Sequence, residues 1–477
     1  MKYITYSLLL VACCFILAAC LSPASDNLPG DEAINAEEFQ QMLEDAELPI
    51  EYFSPAGNNL TMGRLIAYTD TMFELEVLTE AFGGIEVNRT LGFLPLSVNA
   101  PYAEVTRAAA QHFITAVSDA MTNRADGLKA FYAIASFDQI HMIDDLDIVS
   151  VGWSRFDIIN GEAVFNLSSR NDNEYHIPAG YNLPIERARN NDVPIYLMIA
   201  GHMAHHGGMT TSAYILLDPV MRESALDDLV DAAHNGVISP ISGQRIYFDG
   251  FSMDFEEMRG EQAREAYSQF IIDLRSRLPD DFGLLICVHP AVPHGPYFDA
   301  FDFRVLGENS DGLILMAHDF YAKSLSDEER AMGEVATRTP PSPITAVYYS
   351  IYRATHPETG TDPSKVWLAM SFTGVQWQIQ NGEVLSNRPM NPTNDLIEAR
   401  LPYATVTHGA SGNPRAVWEN DGVENVLFFE DAVSVMQRQR LADLFGLAGI
   451  SLWRLGNVPD GERVVNMDAW DRLLAWR

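Results

Sequence analysis

From residue 127 onward, short runs rich in Val, Ile, Leu, Phe and Tyr alternate with stretches of helical periodicity. This alternation confines the chain to a parallel sheet joined by helical crossovers. Eight candidate strands can be placed: Leu128 to Ala135, Asp147 to Trp153, Pro194 to Ala200, Arg245 to Phe255, Gly283 to Val288, Gly312 to Ala317, Lys365 to Phe372 and Gly449 to Leu455. Runs such as IYLMIA and LILMA are apolar throughout, as strands covered on both faces must be. Eight such units over about 350 residues predict an α/β fold, a (β/α)8 TIM barrel spanning 127–477. The gap from Thr373 to Ala448 is too long for one crossover helix. A small insertion is therefore expected around Gln378 to Asn425, before a helix from Ser434 to Phe445 and the last strand.

The segment before the barrel, 37–126, reads as mainly helical. Tyr102 to Met121 places Val105, Ala109, Phe113 and Val117 at fourfold spacing, one face of a helix. Two fragments, Ile34 to Phe39 and Pro101 to Val105, resemble pieces of the S-layer-homology repeats that bind wall polysaccharide; packing or spacing is the alternative the periodicity favours. Residues 1–20 read as an export signal, with Lys2, an apolar run from Ser7 to Ala12, and Leu17-Ala18-Ala19-Cys20, which resembles a bacterial lipobox. That resemblance implies acylation of Cys20 and an extracytoplasmic protein anchored by lipid to the bacterial cell membrane. Residues 21–36, rich in Ser, Pro, Asp, Asn and Gly, suit a tether. Cys13 and Cys14 fall within the signal, so only Cys287 remains, in the apolar run Leu284 to Val288 where a buried small hydrophobe is expected. With 31 basic against 65 acidic residues and a formal charge of -34, nucleic acid is an unfavourable partner. A neutral or cationic glycan is compatible with that charge.

In a barrel of this kind chemistry gathers at the carboxyl ends of the strands. The most loaded end is RIYFDGFSMDFE, residues 245–256, where Ser252, Asp254 and Glu256 share parity and point to one side. Two carboxyl groups crowded in a dry mouth push one pKa upward, which keeps an acid protonated near neutral pH. Asp249 has the opposite parity and reads as a structural acceptor. DGFSMDFE resembles the DGxDxDxE signature of glycoside hydrolase family 18, the chitinases and related N-acetylglucosaminidases. DIVSVGWSRF is similar to that family's second strand, LILMAHDFY to its sixth and GISLWRLG to its eighth. The run NVLFFEDAVSVMQRQRLADLFGLAGISLWRLG is similar to the branch containing spore-cortex and wall-lytic glucosaminidases.

The resemblance implies cleavage of β-1,4 bonds at N-acetylglucosamine, in peptidoglycan or chitin, by substrate-assisted retention. Glu256 would be acid and base, Asp254 would orient the sugar's acetamido group, and Asp319 would help hold it. Trp453 would floor the cleaved subsite. Two positions depart from the family: Ser252 stands where aspartate is common, and His318 where tyrosine is common. Ser252 is expected to hydrogen-bond Asp254 and, with His318, to serve substrate binding. Trp153, His289 and Gln376 at other strand ends are further expected sugar contacts. The run from Gly201 to Gly208 holds His202, His205 and His206, but no carboxylate completes a zinc spacing, so a substrate-lining loop is expected and neither metal nor cofactor. The alternative function is a barrel that binds wall glycan or a protein without cleaving it.

Overall fold

The computed structural model describes residues 32–54, 57–201, 205–206, 208–292, 298–461, 464 and 466–477. The export signal, Cys20 and residues 21–31 of the tether lie outside them, as do His202 and Met203. The tether ends sooner than residue 36, because Ile34 is buried and Asn35 already caps a helix.

The chain divides into two compact units. One holds the described residues through Glu74 together with Gly83–Ser118; the other holds Leu75–Phe82 and Asp119–Arg477. In the first, helix Ala36–Asp45 begins at a reciprocal cap. Asn35 accepts from the amides of Glu37 and Glu38 at 2.9 and 3.0 Å, and Glu38 accepts from the Asn35 amide at 3.0 Å. Phe39, Tyr68, Phe93 and Phe113 are fully buried around one another, with Val105 and Val117 beside them in the core. The two wall-repeat-like fragments thus supply a cap and core residues.

The second unit contains the barrel. Its strands are β1 (Gly127–Tyr132), β2 (Ile148–Ile159), β3 (Ile195–Ala200), β4 (Gly250–Asp254), β5 (Gly283–Val288), β6 (Gly312–Leu315), β7 (Val366–Ser371) and β8 (Gly449–Trp453). Each pairs in parallel with the next, and β1 pairs with β8, Gly127 opposite Gly449, which closes the ring. All eight expected strands form the TIM barrel. Two boundaries differ most. Arg245–Ile246 leaves β4 to pair antiparallel with Val237–Ile238, and β2 runs on to Ile159 in a hairpin with Glu162–Asn166. Helices such as Pro219–Asn235 and Glu261–Arg277 form the crossovers, except between β1 and β2, where the kinked 3-10 segment Ile134–Asp145 serves.

Inward residues fill the barrel in layers. Tyr196 and Trp367 occupy the lower end because glycines leave room for their rings: a Cβ on Gly250 would come within 2.7 Å of the Tyr196 ring. Above them Phe131, Met198, Ala200, Leu285, Cys287, Ile314 and Ala369 form one apolar cluster. The expected insertion is a five-stranded antiparallel sheet built from Val375–Gln380, Glu383–Val384, Thr405–His408, Pro414–Asn420 and Val423–Phe428. Its core includes Val375, Trp377, Ile379 and Val426. The chain re-enters the barrel through helix Ala432–Phe445, where Asp431 caps the Ser434 amide at 2.9 Å and buried Arg438 lies 3.4 Å from buried Glu430.

Gly283 faces the Tyr196 hydroxyl at a distance no methyl group can share. Gly283→Ala should therefore cost about 1–3 kcal/mol through overpacking, read as a lower urea midpoint at unchanged slope. An unaltered midpoint would show that the Tyr196 ring yields freely.

Candidate active site

Asp254 is the last residue of β4 and Glu256 follows two positions later; Phe255, of opposite parity, is buried on the outer face against Tyr267 and Phe270. Asp254 is only 4% exposed, whereas the Glu256 side chain retains 23%. Burial pushes the Asp254 carboxyl well above the usual carboxylate range, and the neighbouring Glu256 charge adds to it. The Cys287 thiol and the Lys129 charge act in the opposite direction. The two acids thus differ in their access to solvent within one mouth.

His289, which follows β5, touches the second acid: its Nε2 lies 3.3 Å from Glu256 Oε2 and accepts the Glu257 amide hydrogen at 3.1 Å. Phe298, with ring centroids 4.4 Å apart, and Phe301 hold the imidazole in place. His289 is therefore a partner of Glu256, buried to 9% exposure, rather than an open sugar contact. A cavity of about 500 Å³ borders His289 and is lined by Arg264, Asp302, Arg304 and Arg353 among others; neither Asp254 nor Glu256 lines it.

Asp319 follows β6 with a left-handed backbone, φ 61°. Its carboxylate lies 3.7 Å from His318 Nδ1 and 3.6 Å from Lys323 Nζ. Burial alone would raise its pKa, but His318 and Lys323 outweigh burial and hold it at about 2. Trp453 ends β8, half-buried, with its ring edge-on to Phe131 at 5.2 Å and a cis peptide bond to Arg454. Two further residues belong to this mouth and were not expected. Tyr175, after the β2 hairpin, has its hydroxyl pKa raised by burial and then by the charges of Asp254 and Glu256. Arg454 has its pKa lowered by burial, opposed by Tyr175. Tyr175 lies in an irregular loop without a strand or helix signal, and Arg454 falls at the end of the expected eighth strand, just past its observed last residue Trp453.

Three further expectations change. Ser252 is fully buried and its hydroxyl is 2.8 Å from that of Ser150, so it sits beneath the mouth, away from any sugar. Trp153 is fully buried, packed edge-on against Tyr132 and Tyr181. A register shift in β2 between Val151 and Ser154 turns it into the wall. Gln376 is buried in the insertion sheet, donating to Asn425 Oδ1 at 2.9 Å. Asp249 lies at the other end of β4, where it pairs with Arg189 at 2.7 Å and accepts the Ile195 amide hydrogen at 2.7 Å. Cys287 is buried, and burial pushes its thiol up, away from a nucleophile's range. His205 and His206 form a short strand paired with Met209–Thr210. Among the described residues no group of three or more His, Cys, Asp or Glu could hold a metal ion.

This chain is similar to the cortical fragment-lytic enzyme of Bacillus anthracis, 23% identical over 214 residues, 43% of this chain and 45% of that one. It is 24% identical over 251 residues to the enzyme of the same description from Bacillus subtilis (strain 168), 51% of this chain and 52% of that one. The chain spans about half the length of these relatives. Its fold is similar to that of the Bacillus cereus spore cortex-lytic enzyme SleL, with TM-score 0.57, 15% identity and 91% of each chain covered. It also resembles a chitinase from Chromobacterium violaceum ATCC 12472, with TM-score 0.55, 18% identity, and 74% of this chain and 99% of that one covered. The profile of the glycosyl hydrolases family 18 matches residues 130–457, more than half of the sequence, and the chain belongs to that family.

Proposed function

We propose that this protein is a glycosidase that cleaves β-1,4 bonds next to N-acetylglucosamine in a wall glycan or chitin-like polymer, by substrate-assisted retention. The observation that supports this reading most is the unequal solvation of Asp254 and Glu256 at the end of β4. Glu256, partly open to the cleft, protonates the glycosidic oxygen and later takes a proton from water. The sugar's own acetamido carbonyl attacks the anomeric carbon, forming an oxazolinium ion, and the leaving sugar departs with the proton from Glu256. Water then opens that ion, so both bonds are exchanged at the same face. Asp254 receives the acetamido N–H and balances the positive charge that develops on the ring, a preorganised contribution that a dry mouth strengthens. Asp319, kept acidic by His318 and Lys323, holds the acetamido side of the sugar with His318. The Trp453 ring offers an apolar floor to the C–H face of the bound residue. His289 keeps the Glu256 carboxyl aimed.

The lipobox-like run Leu17-Ala18-Ala19-Cys20 supports a second part of the reading, export and a lipid anchor at Cys20. Such an anchor holds the barrel where wall glycan is found.

Glu256→Gln should lower turnover of wall glycan or chitin oligomers by about 10²–10⁴-fold while leaving oligomer binding intact, measured by mass detection of products and by titration. A wild-type protein that binds these glycans and yields no product would instead be a binding module. His289→Ala should lower kcat by about 10- to 100-fold through loss of alignment, with KM little altered; an unchanged kcat would remove His289 from the catalytic arrangement. Cys20→Ser should release the protein from the membrane fraction, and undiminished membrane retention would contradict the anchor.

A further inference from the structure

Lys129 lies on β1, two residues before Phe131, and both side chains enter the barrel. Lysine occurs in this chain at Lys2, Lys129, Lys323 and Lys365. Among the described residues Lys129 is the only buried one. Its Nζ is 4.9 Å from the centre of the Phe131 ring and has no hydrogen-bond partner among the described residues. An ammonium group removed from water needs a countercharge to remain charged. The titratable groups that face it are Cys287 from β5 and Asp254 from β4. Asp254 is faced in turn by Glu256, Cys287 and Lys129, and by the hydroxyls of Tyr175 and Tyr267. Among the described residues Lys129 is the cation that acts on Asp254 itself, while His289 lies against Glu256 and Arg454 acts on Tyr175.

One position on β4 explains why a cation is needed there. Ser252 stands where the signature that DGFSMDFE resembles has aspartate, a carboxyl that could share a proton with the acid two residues on. Ser252 cannot do this, and its hydroxyl is already engaged with Ser150. Asp254 is then left in a dry barrel with Glu256 as its only carboxyl neighbour in the interacting group.

We propose that Lys129 is a positioning residue for the reaction: from inside the barrel its amino group takes over the electrostatic task of the missing aspartate, holding Asp254 ionisable beneath the bound sugar. This rests on the role given to Asp254 above. Burial draws the lysine down to about 7, while Cys287 and Asp254 act to keep it protonated. The coupling is reciprocal in sign. Removing the lysine raises the Asp254 pKa further, and removing Asp254 lowers that of Lys129.

Two experiments test this. Four lysines allow selective ¹³Cε labelling, so the titration of Lys129 can be followed by NMR in the full-length protein and in Asp254→Asn. The midpoint should fall by about one unit or more in the variant; an unchanged midpoint overturns the proposal. This measurement needs no turnover, so it stands apart from the proposed activity. In Lys129→Met, kcat should fall about tenfold or more with KM changed less than about threefold, and the acid limb of kcat/KM should move to higher pH. Lys129→Met/Ser252→Asp should recover part of the loss. A folded Lys129→Met protein with wild-type kcat and pH profile overturns the proposal. If Lys129→Met does not fold, the NMR comparison decides.

Discussion

The structure depends on closure of the parallel sheet through β1, which pairs with β8 on one edge and with β2 on the other. In an open sheet β1 and β4 would lie far apart along one surface. In the closed barrel Lys129 and Asp254 share a single interior, and Trp453 from β8 meets Phe131 from β1. Closure also demands a filled lower end, which Tyr196 and Trp367 supply against glycines at 127, 250, 283 and 312. The apolar cluster above these rings leaves the mouth as the place where polar side chains from several strands converge.

What the closed mouth produces is a set of carboxyl groups with different solvation. Asp254 is stripped of water, and its pKa rises accordingly. Glu256 stays partly open and has His289 at 3.3 Å. Asp319 is surrounded by His318 and Lys323, which hold its pKa near 2. The same carboxyl chemistry thus meets three surroundings: a dry one at Asp254, a partly open one at Glu256, and a cationic one at Asp319. The difference comes from position on β4 and β6, not from residue type.

Much of this was legible in the sequence, and the exceptions have physical causes. Strands such as Ile195–Ala200 and Gly312–Leu315 stand out because helices cover one face and the barrel core the other, so their runs are apolar throughout. The β4 boundary was set too early because Arg245–Ile246 has strand composition but pairs with Val237–Ile238. Parity correctly separated Asp249 from Asp254. Trp153 was expected as a sugar contact from its place at a strand end, but the irregular register of β2 between Val151 and Ser154 turns it into the wall. Gln376 was misplaced because the strand after β7 belongs to the insertion sheet, where its side chain is bonded to Asn425. Tyr175 lies in a loop without periodicity. Lys129 did leave a trace, a charge inside the run Gly127–Tyr132, but only its depth in the closed barrel gives that charge a meaning.

The central claim is that the sugar's own acetamido group, held over Asp254, serves as the nucleophile while Glu256 acts as acid and base. This fixes the stereochemistry of the first product. Proton NMR on a β-linked N-acetylglucosamine oligomer, recorded within minutes of adding the protein, reads the anomeric signals before mutarotation. The account predicts that the β-anomer appears first, with the α-anomer growing later. Initial release of the α-anomer would mean direct attack by water and would contradict the account.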